Sequence, residues 1–371
     1  MQLSETIKLY PTSYQKQLIT STMHEYIDTV NSLVSTAVSG NSISKYTTAD
    51  FECELPSALA NQCIRDAKSI VKKHYKLCHS TIIKNRKREL KRTAPKLPIL
   101  HKPCCYINNQ NFKIKDNGMV EFPVIADGKS TRLSVKTSIT DRQYSLLSNT
   151  KLGTARIVFK NNKLCIQIIY EETDVLSHCN GNVMGIDLGI KCPAVSYCSD
   201  GSIKFYGNGR KNKYMRRHYA YLRRKAQKAK KPEVVERLGN KEQRIMRDID
   251  HKLSHDIIST AVEHNVRVIK LEQLQNIRST TRTSRKNNHS LHTWSFYRFA
   301  QFIEYKAKRV GITVEYVNPM YTSQRCPECG SIHHADDRNY SCECGYHIHR
   351  DILGAVNIMN STEFVGNRQT A

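Results

Sequence analysis

The chain has 371 residues, with 58 Lys and Arg against 33 Asp and Glu and a formal charge of +25. That length allows two or three domains with a sizeable core. The charge calls for a polyanionic partner, nucleic acid before membrane, since every apolar run is too short to span a bilayer and "MQLSETIKLYPTSY" lacks a signal-peptide core. Thirteen cysteines, an odd number with four at metal spacing, argue against a disulfide scaffold and fit a reducing cytoplasm.

In chain order, Leu3 to Tyr10 reads as a strand ended by Pro11, with Thr12 or Ser13 capping the helix behind it. From Tyr14 to about Leu90 apolar residues recur at three-four spacing, so this stretch is helical. It runs into a basic segment holding Lys84, Arg86, Lys87 and Arg88. From Pro103 to Glu172 the period is two, with turns at Asp116-Asn117-Gly118, Asp127-Gly128 and Asn161-Asn162. The expected fold there is a small antiparallel β-barrel or sandwich, residues 1–12 and 93–178, carrying a helical insertion at 13–92. After a linker from His178 to Val183 come a buried strand, "VMGIDLGI", and a hairpin, "CPAVSYCSDGSIKFYG". Next are a basic helix broken by Pro232 and a second helix from about Glu233 to His264. A strand "VRVIKLEQL", a polar loop, a helix ending at Gly311, a strand "ITVEYVNP", the cysteine segment and a final helix "RDILGAVNIMNSTEF" complete the chain.

Three acids occupy particular places. Asp187 ends one hydrophobic strand, Glu272 ends another, and Asp351 begins the last helix. A carboxylate at a buried strand end is costly unless paired or metal-bound. Three that converge can hold two divalent cations about 4 Å apart, the arrangement that cuts phosphodiesters, and hard oxygen ligands favour Mg²⁺ or Mn²⁺. Taken singly, Glu272 reads equally well as surface charge and Asp351 as a helix cap. The order strand-Asp, hairpin, helices, strand-Glu, helix, strand, helix-Asp matches an RNase H-type sheet, and that order argues for the set. The expected class is therefore α/β plus β.

Cys326-x-x-Cys329 and Cys342-x-Cys344, twelve residues apart, have the spacing of two knuckles supplying four thiolates to a structural zinc. The short C-x-C pair keeps a histidine, from His333, His334, His347 or His349, open as a substitute ligand. Arg210 to Lys231 holds eleven basic residues and no acid, interleaved with Tyr214, Tyr219 and Tyr221. Such a run exceeds an ordinary solvated face and points to nucleic acid, with Arg210, Lys211, Lys213, Arg216, Arg217, Arg223 and Arg224 as contacts. The loop bearing Arg282 and Arg285 reads as a lid over the acids or as a linker.

The segments "LYPTSYQKQLI", "LPSALANQCIRDA", "GIDLGIKCPAVSYCSDG", "VIKLEQL", "FIEYKAKRVGITVEYVNPMYTSQRCPECG" and "CGYHIHRDILGAVNI" resemble the TnpB proteins of insertion sequences, which are similar to compact type V CRISPR effectors. The resemblance covers nearly the whole chain. It implies a guide (omega) RNA, double-stranded target DNA beside a transposon-adjacent motif, and one RuvC nuclease domain at 179–371 with a zinc ribbon inserted at 320–349. It further implies that Asp187, Glu272 and Asp351 are the RuvC acids, that the four cysteines are the ribbon ligands, and that the N-terminal part forms wedge and recognition domains. The family's final motif D-x-N-A-A-x-N-I is D-I-L-G-A-V-N-I here, with Leu353 and Gly354 as departures. The acid is kept, so cleavage is expected to survive. A nuclease-inactive RNA-guided repressor, which would be expected to lose an acid, is the alternative, together with a transposase accessory protein or a DNA-joining transposase using Tyr321 beside His347 and His349. One site cutting two strands in turn suffices, so a monomer is expected.

Overall fold

The structure, a computed structural model, describes residues 1–40, 42–88, 93–173, 175–177, 180–274, 285–335 and 338–365. The chain divides into two compact units, Met1–Thr173 and Asp174–Ala371.

In the first unit, β1 (Gln2–Tyr10) stops at Pro11 and α1 (Ser13–Val38) starts from a capping box. Thr12 Oγ1 accepts from the Gln15 amide at 3.2 Å, and Gln15 Oε1 accepts from the Thr12 amide at 3.1 Å. After α2 (Ser57–Arg88) come β2 (Cys104–Ile107), β3 (Lys113–Ile114), β4 (Met119–Ala126), β5 (Lys129–Thr137), α3 (Asp141–Ser148), β6 (Lys151–Lys160) and β7 (Lys163–Glu171). The hairpin turns fall where the sequence put them: Asp127, Gly128, Asn161 and Asn162 all take the left-handed conformation that two-residue hairpin loops need. The strands make one antiparallel sheet in the order β2-β6-β7-β1-β5-β4-β3. β1 bridges its halves, pairing with β7 along Gln2 to Lys8 and with β5 only at Leu9 and Tyr10. Among the described residues β2 and β3 do not pair with each other, so the expected barrel closure is absent. The edges are a four-residue and a two-residue strand, too short to zip up. α1 and α2 share one hydrophobic core with this sheet, in which Met23, Tyr26 and Val30 meet Ile107, Phe122 and Ile166.

The second unit holds β8 (Asn182–Asp187), β9 (Ala194–Cys198), β10 (Ile203–Tyr206), α4 (Gly209–Lys228), α5 (Pro232–Leu238), α6 (Lys241–Glu263), β11 (Val266–Glu272), α7 (Arg285–Thr293), α8 (Phe296–Arg309), β12 (Thr313–Val317), β13 (Asn339–Ser341), β14 (His347–His349) and α9 (Arg350–Asn360). Its sheet runs β10-β9-β8-β11-β12. The β8–β9–β10 hairpins are antiparallel, and β11 lies parallel to both β8 and β12. The sequence order of strands and helices is thus the observed one, with three adjustments. The polar loop expected before the Phe296 helix holds a helix of its own, α7, at Arg285–Thr293. The helix expected over 233–264 breaks at Gly239, whose φ of +39° is closed to a continuing helix, and the final helix stops at Asn360. No helix among the described residues is long and apolar enough to cross a membrane.

Candidate active site and metal centres

β8 and β11 run parallel, with Ile186 opposite Leu271. The next residue on each strand is an acid, so Asp187 and Glu272 leave neighbouring strand ends side by side. The third acid arrives on α9, which lies directly on β8. A Cβ at position 185 would stand 2.2 Å from the Ala355 carbonyl oxygen, so only glycine lets this helix seat. Asp351 sits in the first turn of α9, and its amide donates to Nδ1 of His349, the helix cap, at 3.2 Å. Gly354, a departure from the family motif, faces Asp187: a Cβ there would lie 3.2 Å from Asp187 Cγ.

The three acids line one cavity of about 540 Å³, together with Thr322, Arg338 and Arg350. Burial, and then the charges of Glu272 and Asp351, push the Asp187 carboxyl well above the usual carboxylate range. Burial raises Glu272 to about 7, against the pull of a hydrogen bond donated by the Thr322 hydroxyl. Asp351 is ion-paired with Arg338. A crowd of acids that resists full ionisation is the state a divalent cation relieves, and its all-oxygen donors suit a hard one. Thr322 is itself tied down, because Asn357 on α9 donates Nδ2 to the carbonyls of Thr322 and Arg325 at 2.8 and 2.7 Å. Arg338, Thr322 and Asn357 escaped the sequence reading because each meets its partner only through the tertiary fold.

The four cysteines form the one group of at least three His, Cys, Asp or Glu ligands, among the described residues, whose donor atoms all lie within 4.8 Å of one another. Cys326 Sγ is 3.6 Å from Cys344 Sγ, and Cys329 Sγ is 3.4 Å from Cys342 Sγ. Tetrahedral zinc with ~2.3 Å bonds to sulfur places its ligands ~3.8 Å apart, so the set fits. The two knuckles close differently. Gly330 donates its amide to the Cys326 carbonyl, four residues back, whereas Gly345 donates to Cys342, three back. The C-x-C pair is therefore a tightened knuckle that still delivers both sulfurs. His347 bonds Ser341 Oγ at 2.8 Å and His349 caps α9, so both are engaged elsewhere.

Residues 167–278 match the family described as a probable transposase, OrfB of IS605 type, and residues 296–358 match the Cas12f1-like TNB domain. The chain is a relative of the TnpB-like and Cas12f1 proteins. It is 35% identical to the TnpB-like protein MJ0751 of Methanocaldococcus jannaschii over 137 residues, 36% of this chain and 49% of that protein. It is 29% identical to the CRISPR-associated endodeoxyribonuclease Cas12f1 of Sulfoacidibacillus thermotolerans over 223 residues, 54% of this chain and 50% of that protein. The chain thus spans about half the length of these TnpB-like and Cas12f1 relatives. Among solved structures, Cas12f1 in a complex with sgRNA and target DNA superposes with a TM-score of 0.64 at 16% identity, covering 93% of this chain and 82% of that one, a likeness of fold.

The cations expected to touch nucleic acid divide once placed. On α4, Arg210, Lys211, Arg217 and Arg224 are exposed and Lys213 is half-buried. Arg216 turns inward to the Thr293 carbonyl, and Arg223 to Glu242. Those two hold helices together and are the weaker candidates for contacts. Lys84 and Arg86 are exposed near the end of α2. The side chains of Lys87, Arg88 and Arg285 lie outside the described residues, as does Arg282 entirely.

Proposed function

We propose that this chain is an RNA-guided DNA endonuclease of insertion-sequence type. In this reading it binds a guide RNA, finds double-stranded DNA beside a short adjacent motif, and hydrolyses phosphodiesters at Asp187, Glu272 and Asp351 in a RuvC-type domain spanning 179–371. The observation that carries it is the convergence of the three acids on a single open cavity with two arginines in its wall. Relatives named as endodeoxyribonucleases support the same chemistry.

The three carboxylates would hold Mg²⁺ or Mn²⁺, which when bound supplies a hydroxide nucleophile at neutral pH and stabilises the leaving oxygen. The chain's own residues set the stage. Thr322 fixes the orientation of Glu272, and Arg338 restrains Asp351 until ligands compete for it. Arg338 and Arg350 present positive charge where a phosphodiester enters. The zinc ribbon at 320–349 is structural. Its small core of Cys326, Tyr340 and Cys342 includes Leu353, two residues beyond Asp351, so the ribbon steadies the helix that carries the third acid. Residues 1–12 and 93–178, with the helices of 13–92, form the wedge and recognition parts that take guide RNA and adjacent motif, while base pairing reads the rest of the target.

The test is to purify the chain with its co-expressed RNA and offer plasmids carrying a guide-matched target beside randomised flanks. Mg²⁺-dependent cutting beside one recurring flank is expected. Protein that carries no RNA, or cuts in no flank, overturns the proposal.

A further inference from the structure

We propose that the outward face of α4 is a stacking platform for unpaired bases of a single nucleic-acid strand, a partner class that rests on the nucleic-acid reading above and narrows it. Tyr214, His218, Tyr221, Lys225 and Lys228 follow one another at steps of four, three, four and three, which places them on one stripe. Tyr214 is 65% exposed and Tyr221 59% exposed, while Tyr219 on the opposite side is buried. Two of the three tyrosines of this helix thus contribute little to the core.

The stripe is braced. The His218 ring stacks under Tyr214, with centroids 5.9 Å apart and planes 20° from parallel. The same ring meets the buried Tyr219 edge-on at 5.5 Å. Tyr214 is therefore held by a chain of rings reaching the interior, which limits the ordering cost of using it as a binding surface. From Tyr214 to Tyr221 the helix rises about 10.5 Å, the span of about three stacked nucleotides at ~3.4 Å each.

Charge selects the occupant. α4 contains no acid, and among the described residues Arg217, Arg224, Lys225 and Lys228 form no ion pair. Cations alone would serve a duplex, whose bases are hidden and whose backbone faces out. Exposed rings interleaved with those cations have a use only where bases are open to stack.

The experiment uses the full chain with labelled oligouridylate, oligothymidylate and a hairpin duplex of the same length, comparing the wild type with Tyr214→Ala/Tyr221→Ala and Tyr214→Phe/Tyr221→Phe. The alanine pair should weaken single-strand binding about tenfold per ring and leave the duplex within about twofold, and the phenylalanine pair should restore it. Its slope of log affinity against log salt should be unchanged, since no charge is lost. Arg217→Gln/Arg224→Gln should instead lower that slope by about 1.4 on a single strand. Loss confined to one of the two homopolymers supports the platform and names RNA or DNA as its strand. Equal loss on strand and duplex, or no loss on either, overturns it. Guided cleavage measured in parallel separates the two proposals: single-strand preference without any cutting retains the platform and sinks the nuclease, and cutting without the preference does the reverse.

Discussion

Cys344 and Asp351 are seven residues apart, yet they belong to two clusters built in opposite ways. The four sulfurs crowd within 4.8 Å of one another, so an ion at their centre is fully surrounded. The three carboxylates instead rim a cavity of about 540 Å³, and two of them are held off by different partners, Glu272 by Thr322 and Asp351 by Arg338. A closed donor set leaves no position for substrate and serves stability. An open set of like charges is strained on its own and leaves room for a phosphodiester, which is what catalysis needs.

The contrast breaks most sharply at Asp187. Asp187→Asn should drop cleavage to background. Measured without divalent cations, the same change should raise stability, because it removes a carboxyl that burial and the charges of Glu272 and Asp351 hold well above the usual carboxylate range. A variant that is both inactive and destabilised would show that Asp187 supports the fold in its own right. Cys342→Ser should go the other way, losing zinc in a chelator-dye assay and about 3 kcal/mol of stability, roughly 10 °C in Tm. Stoichiometric zinc retained by that variant would mean another ligand serves. Gly185→Ala acts on the seat of α9 against β8. By pressing α9 off β8 it should cost about 1–3 kcal/mol in urea unfolding and shift Asp351 as well. The smallest expected effect is that of Thr322→Val, which removes the hydroxyl on Glu272 and should weaken Mn²⁺ binding about tenfold by calorimetry. Zinc content there should stay unchanged, and a loss of zinc would show that the two clusters are not independent.

Much of the second unit was legible because its chemistry sits at marked places. Acids at the ends of apolar strands and cysteines at knuckle spacing are visible in one dimension. The neighbourly placement of Asp187 and Glu272 follows from parallel register, and that of Asp351 from Gly185, whose need for closeness shows only once α9 lies on it. Arg338 had no local signal, since its partner lies thirteen residues on, at the far end of the β13–β14 hairpin. α3 was missed although it carried one: Thr140 and Gln143 form a capping box, masked by strands on either side. The run of cations on α4 looked uniform, and only packing shows that Arg216 and Arg223 face inward while Arg217 and Arg224 face out.

The most direct measurement of the central claim follows cleavage and zinc content together in the RNA-loaded protein as Mg²⁺ is withdrawn and restored. Cleavage should vanish without Mg²⁺ and return with Mg²⁺ or Mn²⁺, while zinc stays bound throughout. Cutting that persists without Mg²⁺, or that tracks zinc loss instead, would contradict the assignment of the acids to catalysis and the cysteines to structure.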